Sequence, residues 1–136
     1  PTPMQPCHYS LIQFRPDPAR EEGLNVGLVV VRAPGEVSVR TLHSEGLEGV
    51  IRRMGGAPTE LERLARSLRA FATRLGQLGD ATAAGLNGFA ACEAGTLELL
   101  PAHAVASGDP GRIAEILFPR LVGTEGDTGG REIRRA

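Results

Sequence analysis

The chain has 136 residues, a formal net charge of -1, 41% hydrophobic residues and 23% charged residues. These values fit one ordinary domain long enough to bury a core, and they argue against a generally basic surface that would coat nucleic acid. All 15 basic residues are Arg, which removes Schiff-base chemistry and lysine-dependent phosphate loops from consideration.

No run approaches the roughly 18 apolar residues that a membrane span needs. The longest aliphatic run, Leu28 to Val31, stops at Arg32, and no basic region leads into an apolar one at the N-terminus. A cytoplasmic protein without a membrane span is expected.

The first element is a strand over His8 to Arg15, with large apolar groups on both faces, ended by Pro16-Asp17-Pro18. Leu24 to Arg32 is rich in β-branched residues and apolar on both sides, the pattern of a central strand covered on each face. Ala33-Pro34-Gly35-Glu36 has Pro and Gly where a type II turn wants them, and Val37 to Leu42 follows as a strand. Strand, turn and strand make an antiparallel hairpin.

Helical periodicity then takes over. Ser44 is placed to cap a short helix carrying Leu47, Val50, Ile51 and Met54, closed by Gly55-Gly56. Thr59-Glu60-Leu61-Glu62 reads as a capping box. The helix after it sets Leu61, Leu64, Leu68, Phe71, Leu75 and Leu78 in one narrow row at spacings of three and four, with Arg63, Arg66, Arg69 and Arg74 outside it. Such a row packs at home against the sheet by default, or against a helix of another chain, so a homo-oligomer or protein partner through Leu61–Leu78 stays open.

From Ala81 to Gly95 the signal is weak: Leu86, Phe89 and Ala90 suit a helix, while Gly85 and Gly88 oppose it. Thr96 to Leu100 reads as a strand. Asp109-Pro110 supplies the cap and first-turn proline of a helix with Ile113, Ile116, Leu117 and Leu121, which Pro119 should kink or shorten. The expected architecture is α+β: one domain over residues 1–122, an antiparallel sheet packed against two or more helices, and a disordered tail over 123–136.

Three stretches carry a family resemblance. Tyr9-Ser10-Leu11-Ile12-Gln13-Phe14-Arg15-Pro16-Asp17-Pro18, then Arg20-x-Glu22-x-x-Asn25-Val26-Gly27, then Asp109-Pro110 with Ile116-Leu117-Phe118-Pro119-Arg120-Leu121-Val122, together resemble a bacterial family known only as domain of unknown function 3037. Leu28 stands where that signature more often has Val, and Pro119 is unusual in the closing helix. The resemblance implies a compact bacterial domain and supplies no activity.

Arg20, Glu22 and Asn25 are the candidate site: a cation, an anion and an amide at the turn entering the central strand, able to hold a polar ligand or a partner's backbone. The competing reading has them satisfying backbone groups where the chain bends, as buried polar side chains usually do. His8, His43 and His103 with Cys7 lack the paired spacings of zinc sites, Cys7 and Cys92 form no redox motif, and no metal or cofactor is expected. No catalytic set emerges, and Arg131, Arg134 and Arg135 make only a small basic cluster. The expectation is a non-enzymatic accessory or protein-interaction module. The alternatives are a ligand-binding or catalytic domain built on Arg20, Glu22 and Asn25, or, more weakly, a nucleic-acid-binding module.

Overall fold

The computed structural model describes residues 5–17, 19, 23–93 and 95–123. Its elements, in chain order, are β1 (Cys7–Phe14), β2 (Leu24–Arg32), β3 (Glu36–Thr41), α1 (Ser44–Arg53), α2 (Glu60–Gly76), α3 (Ala83–Cys92), β4 (Leu97–Leu99), β5 (His103–Val105) and α4 (Pro110–Leu121). All the strand pairings are antiparallel, in the order β3-β2-β1-β4, with β5 also on β1. The α+β expectation holds.

Pairing fixes which residues share a face, because directly opposed residues of an antiparallel pair point to the same side. Val29 stands opposite Val39 and Ser10, and Val31 opposite Val37 and His8. This face also carries Ile12, Leu97 and Leu99 and is covered by α1, α2 and α3. Leu28 stands opposite Arg40 and Leu11, and Val30 opposite Ser38 and Tyr9. That second face is crossed by α4, which lies over β2 and β3. Helices on both sides explain why β2 is buried along its length except at Arg32.

The strands meet the periodicity of the sequence closely, but several local devices differ. Gly35 lacks the positive φ that a type II turn requires, so the hairpin is closed by another turn. The cap of α1 is His43, in extended geometry, because Leu47 N–H donates to its carbonyl at 2.9 Å; Ser44 is already helical. The capping box does not form. The chain coils from Ala57 and Pro58, whose carbonyls accept from Glu60 and Leu61, so Thr59 is itself helical and makes no capping bond. The Glu60 carboxylate instead accepts from Ala57 N–H at 3.1 Å.

Pro119 does not stop α4, which continues to Leu121. The carbonyl it leaves without an intrahelical donor belongs to Glu115, an exposed residue that water can serve. At the other end the expected cap is present: Asp109 Oδ2 accepts from Arg112 N–H at 3.1 Å, ahead of Pro110. Two elements have weak sequence signals: α3, capped by Thr82 accepting from Gly85 N–H at 3.1 Å, and β5, paired with Cys7 to Tyr9. Among the described residues no helix is long and apolar enough to cross a membrane.

Candidate functional site

Asn25 is fully buried, and both ends of its amide are used within the protein. Its Nδ2 donates to the Leu121 carbonyl at 3.0 Å, and its Oδ1 accepts from Gln13 Nε2 at 3.2 Å. Leu121 closes α4, where the last carbonyls have no intrahelical donor. Asn25 therefore caps the end of α4 from the middle of the sheet. Gln13 is also fully buried and accepts from Arg15 NH2 at 3.4 Å, and Arg15 lies 3.4 Å from Glu98. The chain of polar groups thus runs Glu98, Arg15, Gln13, Asn25, Leu121.

The backbone beside this network is shaped to admit it. β1 and β2 slip register between Ile12 and Gln13, which oppose Gly27 and Asn25, so Val26 is an extra residue and the strand bulges. A Cβ at Gly27 would lie 2.9 Å from Ile12 Cδ1 and 3.1 Å from the Arg40 carbonyl. One at Gly23 would lie 2.6 Å from Gln13 Oε1. Arg20 and Glu22 lie outside the described residues, as do Arg131, Arg134, Arg135 and the tail from 124. Of the three candidates, Asn25 is the one described, and its amide is engaged within the protein. Gln13 is the member sequence reasoning missed, since a polar residue between Ile12 and Phe14 gives no sign of having a buried partner.

The apolar row of α2 is also occupied at home. Leu64, Leu68, Phe71 and Leu75 are buried in the core, while Leu61 and Leu78 are half-buried at its margin. Phe71 meets the ring of Phe89 edge-on at 5.4 Å. Little of the row is left for a helix from another chain.

Cys7 and Cys92 are both free thiols, the first buried and the second exposed. Cys7 Sγ donates to the Gly108 carbonyl at 3.2 Å, which also accepts from Arg32 NH1 at 2.8 Å. Arg32 is held charged above its ordinary pKa, chiefly by its hydrogen bond to Glu36 at 2.6 Å, against a smaller opposing effect of burial. Among the described residues no group of three His, Cys, Asp or Glu could hold a metal ion.

Among the described residues, no strand covers the β3 edge of the sheet. The opposite side of the sheet ends in β4 and β5, of three residues each, short enough to blunt that edge. β3 has six residues. Leu42 N–H donates to the Val26 carbonyl at 2.9 Å. The two-residue alternation of an antiparallel ladder then directs the N–H and C=O groups of Arg40, Ser38 and Glu36 inward to β2. Those of Val37, Val39 and Thr41 turn outward. A groove of about 530 Å³ lies along this edge on the α2 side, lined by Val37, Val39, Thr41, Ala65, Arg69 and Ala72 among others. A second, of about 460 Å³, lies on the α4 side between Val39, Arg40 and Thr41 and the helix residues Glu115, Phe118 and Pro119.

Arg40 stacks over the Phe118 ring at 5.4 Å. Among the described residues no carboxylate engages either Arg40 or Arg69. No family model, curated protein sequence or solved structure matches the chain.

Proposed function

We propose that this protein is a non-enzymatic interaction module that accepts an extended protein segment as an additional strand on β3. The observation that carries this reading is the row of outward main-chain groups at Val37, Val39 and Thr41, flanked on each face by a groove. Strand addition uses this chemistry: main-chain bonds supply affinity, and alternate side chains of the added strand enter opposite grooves. The ligand-site reading on Arg20, Glu22 and Asn25 has less support, because the Asn25 amide is already engaged by Gln13 and Leu121. The resemblance to domain family 3037 belongs to the same proposal. Two of its stretches, around Asn25 and around Leu121, are bonded to each other here, which gives their joint occurrence a physical reason.

The test is a substitution that spoils the edge and spares the fold. Val39→Pro removes an outward N–H without removing a bond to β2. The tagged parent and the Val39→Pro variant are each used to capture partners from the native host, with circular dichroism confirming that both are folded. The proposal expects a captured protein that slows amide exchange at Val37, Val39 and Thr41 when added back, and that the variant does not retain. A partner held equally by both proteins, with these amides unchanged, would refute it.

A further inference from the structure

We infer that the segment taken up at this edge is β3 of a second copy, paired antiparallel about a two-fold axis at Ser38. The inference rests on the strand-addition reading and names its partner. Homodimers of this kind need a self-complementary patch, in which residue i meets residue j and j meets i.

β3 reads Glu36-Val37-Ser38-Val39-Arg40-Thr41. With the axis at Ser38, Glu36 faces Arg40 of the copy, Val37 faces Val39, and Ser38 faces itself. Opposed residues share a face, so the valines form one apolar row on the α2 side. The charged residues form a second row on the α4 side. Glu36 already accepts from Arg32 at 2.6 Å, so the charged row becomes Arg32, Glu36, Arg40 of the copy, with signs alternating across the junction. Arg40 gains the carboxylate that it lacks among the described residues. Moving the axis to Val39 sets Glu36 against Leu42 and Ser38 against Arg40. Moving it to Val37 sets Arg40 against Pro34. Only the Ser38 register pairs opposite charges.

The main chain agrees with this register. Val37 and Val39 are residues whose N–H and C=O face outward, and in this pairing they are opposed, so each such pair exchanges both bonds. On the α4 side the helix leaves room. α4 lies over both β2 and β3, which seats it about half a strand spacing inside the edge. With strands about 4.8 Å apart, the two copies of α4 then lie about 10 Å apart, a distance at which helices pack.

The test is the mass of the full chain in solution by analytical ultracentrifugation across a concentration series, against a single-chain mass of 14.3 kDa. The parent is expected to dimerise, with exchange at Val37, Val39 and Thr41 slowing as the dimer forms. Arg40→Glu sets like charges against each other in both symmetry-related pairs and should weaken the dimer about tenfold or more. Arg40→Glu combined with Glu36→Arg restores opposite charges across the axis but gives up the Arg32–Glu36 pair, and should recover part of that loss.

A dimer indifferent to Arg40→Glu, or one that the double exchange fails to rescue, overturns the inference. So does a monomer whose edge amides are already protected, since the chain then covers its own edge. A monomer with exposed edge amides that become protected on binding a different protein also overturns it, yet leaves strand addition standing. If no partner protects those amides, both readings fail together.

Discussion

Asn25→Ala tests whether the most distinctive polar residue of the chain holds the fold together. The substitution removes two hydrogen bonds, at 3.0 Å and 3.2 Å, from a fully buried site. Each is worth about 1 kcal/mol net, and the buried groups left behind, Gln13 Nε2 and the Leu121 carbonyl, add a desolvation penalty. A loss of about 2–4 kcal/mol is expected. At about 4 °C per kcal/mol for a domain of this size, the melting temperature should fall by about 8–16 °C. Urea unfolding should show a lower midpoint with an unchanged slope, because the surface exposed on unfolding is the same.

Asn25→Asp sharpens the test. It keeps an acceptor for Gln13 but sets a carboxylate oxygen against the Leu121 carbonyl, at the negative end of α4. Burial and that carbonyl raise the introduced carboxyl's folded pKa above its unfolded value of about 3.9. The unfolded state then binds fewer protons between the two values, so the variant loses stability as pH rises from about 4 through the raised folded value. Below about pH 4 the protonated group can donate to Leu121 and the penalty is smallest. An Asn25→Ala protein within about 0.5 kcal/mol of its parent at the same slope would refute the capping role and return Asn25 to the list of ligand-binding residues.

Three other outcomes follow from the packing. Gly27→Ala places a Cβ 2.9 Å from Ile12 Cδ1 and 3.1 Å from the Arg40 carbonyl, which is main chain and yields little; urea unfolding should register a loss of about 1–3 kcal/mol. Ser10 is fully buried and its hydroxyl has no hydrogen-bond partner among the described residues, so Ser10→Ala should leave stability unchanged or raise it by about 1 kcal/mol. A clear loss there would mean that a buried water serves the hydroxyl. With a thiol reagent, Cys92 should react at once in the native protein and Cys7 only on unfolding; simultaneous reaction of both would contradict the burial of Cys7.

The parts of the fold legible in the sequence are those where local pattern and tertiary demand coincide. Leu24–Arg32 reads as a strand buried on both faces because nearly every residue is apolar, and that is how it sits. Asp109-Pro110 reads as a helix start because cap and proline act within one turn. β5 is hidden because its three residues are held by a long-range pairing with β1 and have no pattern of their own. Gly85 counts against a helix by propensity, yet a Cβ there would run into the Asp80 carbonyl, so the tight approach to α3 demands glycine. The α2 row shows where amphipathic spacing stops being informative: it identifies a buried stripe and is silent on what covers it. The open edge is least legible of all, since a strand's place in the sheet order belongs to the whole fold.

The Asn25–Leu121 bond also joins an early strand to the last helix described, and this ordering matters during synthesis. β1, β2 and β3 leave the ribosome well before α4. Until α4 arrives, the face bearing Leu28 and Val30 has no helical cover among the described residues, while the β3 edge is equally bare. For that interval the nascent chain shows a flat apolar surface and an unpaired strand together, the two features that most invite association with other unfinished chains. Closure of α4 onto Asn25 ends the first of these exposures, while the β3 edge keeps no neighbouring strand beyond β2 among the described residues.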